Sequence, residues 1–112
     1  MSPDYIVQPT AAKLIRAVLE VCGKGSELVG AHEREWASAT FSGARHSLDL
    51  MIPANDEGGA LPNAIARLPD HEFDLPDEIV ADCAVTIGQR HRGADGLTRL
   101  ALRVELLTIA AD

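Results

Sequence analysis

Two stretches decide the fold: Ile79-Val80-Ala81-Asp82-Cys83-Ala84-Val85-Thr86-Ile87-Gly88, and downstream of it Arg99-Leu100-Ala101-Leu102-Arg103-Val104-Glu105-Leu106. In the first, Ile79, Ala81, Cys83, Val85 and Ile87 alternate with Val80, Asp82, Ala84, Thr86 and Gly88. In the second, Leu100, Leu102, Val104 and Leu106 alternate with Arg99, Ala101, Arg103 and Glu105. A period of two is the pattern of a strand with one buried face. Between the runs lies Gly93-Ala94-Asp95-Gly96, a turn composition. With those residues as the loop, Ile87 pairs with Leu102, Val85 with Val104 and Cys83 with Leu106, so apolar meets apolar. A slip of one residue would set the apolar residues against Arg103 and Glu105, so the pattern fixes the parity of the register. Residues 79–109 read as one antiparallel hairpin.

Upstream, Glu35 to Phe41 and Arg45 to Ile52 flank a glycine and read as a second hairpin, with Gly43-Ala44 as a two-residue turn. That turn places Phe41 opposite His46, Ala39 opposite Leu48 and Ala37 opposite Leu50. His46, Leu48, Leu50 and Ile52 then share one face, while Trp36, Arg45, Asp49 and Met51 share the other. Ser26 to Ala31 reads as a loop. Ala11, Leu14, Ile15, Val18, Leu19 and Cys22 recur at helical spacing, with Gly23 and Gly25 as stop signals, and predict a helix over 10–22. A shorter helix fits Ala60 to Leu68, with Pro62 in its first turn and Pro69 at its end. Asp70 to Glu78 is a polar connector whose Phe73 and Leu75 are expected to tuck under the sheet.

The order is therefore helix, hairpin, helix, hairpin, in a single domain spanning 1–112 with no repeat or dividing linker. It predicts an α+β fold: a four-stranded antiparallel sheet from two β-hairpins with two helices on one face. The order αββαββ resembles, in order of elements alone, a circularly permuted ferredoxin-like chain, that is βαββαβ with its first strand moved to the end. A plain four-strand meander gives the same order.

Composition narrows the functions. The apolar content of 46% and charged content of 24% are those of a folding chain, and 112 residues leave room for one core. A net charge of −7 repels phosphate backbones and anionic lipid surfaces, so nucleic acid and membrane are not expected partners. The most apolar run, Ala11 to Cys22, is broken by Lys13, Arg16 and Glu20, where a membrane span needs about 20 nearly uncharged residues. Met1 to Tyr5 lacks a basic leader pattern, and Cys22 and Cys83 have no CxxC spacing. These features, with abundant Ala and few Lys, lead to the expectation of a reduced cytoplasmic protein from a bacterium.

His32, His46, His71 and His91 show no paired metal-ligand spacing, and the glycines form no phosphate-cradling motif, so no metal and no cofactor are expected. His46 points with Leu48 and Leu50. It reads either as a hydrogen-bonded strand-end histidine or as a general base oriented by a carboxylate such as Glu35. Arg90-His91-Arg92 is a local basic cluster, read as a solvated hairpin end or as an anchor for a carboxylate or phosphate. The sheet face turned away from the helices is more apolar than a free face should be, since Trp36, Met51, Val80, Ala84, Ala101 and Leu107 project there. Either a second subunit or the Ser26–Arg34 loop covers it.

The resulting expectation is a non-enzymatic binding or protein-interaction module acting as a homodimer through that face. The competing one is a small enzyme or small-molecule-binding domain with a pocket between helices and sheet that uses His46 and Glu35.

Overall fold

The computed structural model describes residues 9–54 and 62–110. Helix α1 (Pro9–Cys22) is followed by strands β1 (Glu27–Ala37) and β2 (Ser42–Pro53). Helix α2 (Asn63–Arg67) runs into a 3-10 turn (Leu68–Asp70) ahead of strands β3 (Glu78–Arg92) and β4 (Thr98–Ala110). The strands form one antiparallel four-stranded sheet in the order β1-β2-β4-β3. The chain is thus α+β, with order αββαββ. The two hairpins lie side by side with β2 against β4, an order that a meander does not produce.

One apolar cluster joins Leu14, Val18 and Val21 of α1 and Leu68 and Leu75 of the connecting segment to Leu48, Leu50 and Ile52 of β2 and Leu100, Leu102, Val104 and Leu106 of β4. Phe73 packs against it, as the connector reading expected. Alternation in β2 and β4 puts all these strand residues on one face, so both helices cover that face alone. Burying each such side chain contributes about 1.5–3 kcal/mol, and the least exposed residues are those of the β2–β4 seam together with Leu14, Val18 and Leu68, which cover it.

The C-terminal hairpin has the expected pairs: Ile87 with Leu102, Val85 with Val104 and Cys83 with Leu106. Its loop extends to Leu97, whose carbonyl accepts from the Gly93 amide at 2.8 Å and whose amide donates to Asp95 Oδ1 at 3.0 Å. Gly96 takes φ 81°, which only glycine adopts without strain.

The first hairpin differs from the sequence reading. The turn is Ser38–Phe41, where the Ser38 amide donates to the Phe41 carbonyl at 2.7 Å and Ser38 Oγ accepts from the Thr40 and Phe41 amides. Gly43 lies inside β2, opposite Trp36. The glycine is needed there for close approach, because a Cβ would drive into the Thr108 carbonyl of β4. Ser26 to Arg34, expected as a loop, belongs mostly to β1, with Ala31 opposite Leu48 and Glu33 opposite His46. Phe41, expected opposite His46, is in the turn and exposed.

Two smaller corrections follow from backbone geometry. Pro62 precedes α2 with ψ 144° rather than lying in its first turn, and Pro69 sits in the 3-10 turn instead of ending a helix. The expected helix start at residues 60–61 lies outside the described residues. Val80, expected on the helix-free face, turns to the core and pairs with Thr108, because a bulge between Val80 and Asp82 reverses the alternation. Ile79 takes the helix-free face in its place, opposite Ile109.

Candidate functional site

Among the described residues His46 is the most buried polar side chain bearing a titratable group, at 4% exposure. Two polar neighbours flank it. Thr108, opposite Ala44 on β4, donates its hydroxyl to the Ala44 carbonyl at 3.2 Å. Toward His46 Nε2, at 3.4 Å, that oxygen can then only accept, which puts a proton on Nε2. Glu33, directly across on β1, brings Oε1 to 3.8 Å from Nδ1. Burial pushes the imidazole below its ordinary value, and the carboxylates of Glu33 and Glu78 pull it part of the way back. Glu35 stands one step further along β1, opposite Ala44.

This arrangement suits a structural polar pair better than catalysis. Thr108 is fully buried and its hydroxyl is committed to a carbonyl, so it has neither access nor a free proton for a nucleophilic role. Ser47 points to the opposite face of β2. Cys83 lies beyond Leu106 on the far side of β4, and burial, helped by Asp82, pushes its thiol up to about 11. Burial also raises the Cys22 thiol. Neither cysteine is a ready thiolate.

The remaining titratable candidates are dispersed. Arg90, His91 and Arg92 lie in the β3 ladder opposite Leu100, Arg99 and Thr98, and alternation sends Arg90 and Arg92 to one face and His91 to the other. Arg99 beside His91 is tied to Asp95 at 3.1 Å. His32 is on the helix-free face, and His71 stacks edge-on against Phe73 at 4.7 Å. Among the described residues no group of three His, Cys, Asp or Glu side chains could hold an ion. No helix among them is long and apolar enough to cross a membrane.

The helix-free sheet face is where sequence-predicted residues converge. Cross-strand pairing arranges it in rows running β1, β2, β4, β3. The first row is Trp36, Gly43, Ile109, Ile79. The second is Arg34, Arg45, Leu107, Asp82, and the third is His32, Ser47, Glu105, Ala84. The fourth is Gly30, Asp49, Arg103, Thr86, and beyond it lie Met51 and Ala101 with Gly88 beside them. None of these residues belongs to the apolar cluster under the helices. The face is apolar at both ends and charged in the middle.

Details of the rows matter. Trp36 is half-buried, and its indole Nε1 has no hydrogen-bond partner among the described residues. Ile79 is 59% exposed. Arg34 and Arg45 stand directly opposite each other, a repulsive arrangement, and neither has an ion-pair partner among the described residues. Arg103 holds Asp49 through Nε at 2.9 Å. A depression of 670 Å³ covers the charged rows, with Arg34, Arg45, Glu105 and Asp82 on its walls. A second of 440 Å³, lined by Val29, Met51, Gly88 and Ala101, lies at the far end. Ile79 was the residue missed from sequence, and the bulge that exposes it leaves no mark in the alternation.

No family model, no curated protein and no solved structure matches the chain.

Proposed function

We propose that the chain is a non-enzymatic interaction module that works as a homodimer through its helix-free sheet face. The observation that carries this reading is that no described residue outside the sheet packs on this face. The segment that could have folded over it from within, Ser26 to Arg34, is spent in β1, and Trp36, Met51, Leu107, Ile109 and Ile79 remain outside the helix-covered core. Apolar surface rimmed by charge marks association, and aromatic side chains concentrate in such contacts. The free, half-buried thiols of Cys22 and Cys83 suit a reducing cytoplasm, and the composition suits a bacterial source.

Light scattering should give about twice the 11.9 kDa chain mass, and Trp36→Lys should move it to the single-chain value while circular dichroism stays unchanged. A wild-type chain that remains monomeric at every concentration, with tryptophan emission already that of a buried indole, would remove this reading.

A second reading has one observation in its favour. A hollow of 490 Å³ at the end of the sheet is lined by Glu35, Trp36 and Glu78, and both the Trp36 indole nitrogen and one Glu78 carboxylate oxygen are buried without partners among the described residues. A small molecule offering a donor and an acceptor would satisfy both; this hollow contains Glu35 but not His46, and it lies at the end of the sheet instead of between helices and sheet.

A further inference from the structure

The charges on the helix-free face change sign across the line between β2 and β4. In the second row the β1 and β2 side carries Arg34 and Arg45, and the other side carries Asp82. In the third, Ser47 and His32 stand across from Glu105. In the fourth the order reverses, with Asp49 on the β2 side and Arg103 on the β4 side. A surface of this kind complements itself only when it is turned over about that line.

We propose that the occupant of this face is a second copy of the chain, seated by a two-fold axis that runs parallel to the strands between β2 and β4. This rests on the interaction-module reading above and specifies its partner. The rotation places β1 over the partner's β3 and β2 over the partner's β4, row upon row. Arg34 then meets Asp82 of the partner subunit, and Ser47 meets Glu105 of the partner subunit. Asp49, already held by its own Arg103, also meets Arg103 of the partner subunit, so that the two pairs form a square of alternating charge around the axis. Trp36 comes to lie over Ile79 of the partner subunit, covering the two large side chains that the single chain leaves at the end of the face. The repulsion between Arg34 and Arg45 is relieved by a carboxylate that the described residues of the same chain do not supply.

The other face-to-face two-fold arrangement, with the axis across the strands, stacks the third row on itself. Glu105 would then oppose Glu105 of the partner subunit, a like-charge contact with no Arg or Lys in its row. Area is also adequate. Four strands at about 4.8 Å and roughly nine residues at about 3.3 Å give about 570 Å² of plan area, at the lower edge of the roughly 600–1,000 Å² per partner of stable complexes.

Charge reversal tests the axis. Within one chain, positions 34 and 82 are three strand spacings apart, about 14 Å, and cannot form an ion pair. Arg34→Glu or Asp82→Arg alone should raise the dimer dissociation constant at least about tenfold in sedimentation equilibrium at low salt. The double reversal should return it to within about threefold of wild type, because only the contact between subunits can be restored this way. A double variant as weak as the singles, or singles without effect on a dimer that Trp36→Lys still breaks, would overturn this axis and leave the interaction surface standing. A wild-type chain that never dimerises would overturn both.

Discussion

Strands β2 and β4 and strands β1 and β3 belong to the same sheet and are built in opposite ways. The β2–β4 ladder runs without interruption from Gly43 opposite Ile109 to Pro53 opposite Arg99. Its core-facing residues Leu48, Leu50, Ile52, Leu100 and Val104 are at most 1% exposed. The outer strands carry every register shift in the sheet: between Leu28 and Gly30 on β1, and between Val80 and Asp82 and between Ile87 and Arg90 on β3. Even on the helix side their apolar residues reach solvent, with Leu28 at 36% and Ile87 at 43%. Stability is thus concentrated in one ladder, and the outer strands are extensions of it that widen the opposite face.

The row Ala31, Leu48, Val104, Val85 contains both kinds of position, and it gives the sharpest way to break the contrast. Val104→Asp buries an unpaired carboxylate under the helices and should cost more than about 4 kcal/mol, enough to unfold a domain of ordinary stability. Val85→Asp, one strand away on the same face, can reach water past the helices and should cost about 1–2 kcal/mol. Equal urea midpoints for the two variants would show that the edge is as closely packed as the centre.

Gly43 tests the seam at its end. A side chain there meets the Thr108 carbonyl, so Gly43→Val must open the last pairs of the β2–β4 ladder at a cost of about 1–3 kcal/mol. The Ala44 and Thr108 amides should lose hydrogen-exchange protection while those at Leu50 and Leu102 keep theirs.

The smallest effect concerns His46, the one titratable group sealed in the seam. Its folded value lies below the ordinary 6.5, so as pH falls the unfolded chain takes up a proton that the folded chain resists. The contribution of the neutral imidazole is present above pH 6.5 and is lost as pH falls below it toward the folded value. Melting temperature should decline between about pH 7.5 and about pH 5.5 in wild type, and less steeply in His46→Gln. Matching slopes in the two proteins would mean that another group governs this window.

How much of this could be read from residue order follows the same division. The C-terminal hairpin was legible to the residue pair, because Leu100, Leu102, Val104 and Leu106 are buried on one side only and burial writes a period of two. Strand β1 is exposed on nearly every residue, so Glu27 to Ala37 carries no such period, and Gly43 reads as a turn residue in the sequence although its role in the fold is close approach. Ser38, whose hydroxyl binds the Thr40 and Phe41 amides, was the available turn signal. Trp36 was nevertheless placed on the correct face, since the true pairing, Glu33 with His46, differs from the expected Phe41 with His46 by an even number of residues. Val80 was misplaced because a bulge adds one residue, an odd shift. The pairing of His46 with Glu33 in place of Glu35 has the same origin, an edge-strand register that its own sequence does not specify.

The bulges on the outer strands have a consequence for growth. A sheet with two long open edges offers hydrogen-bonding templates on either side, and regular edges invite strand after strand to add without limit. Here the irregularities are confined to those edges, where an extra residue at Val29, at Ala81 and at the Gly88–Gln89 step breaks the even spacing of amides and carbonyls that an incoming strand would have to match. Lateral addition is discouraged, while the helix-free face, backed by the regular central ladder, remains available. The fold thereby separates the direction in which it can recruit another chain from the direction in which it would polymerise.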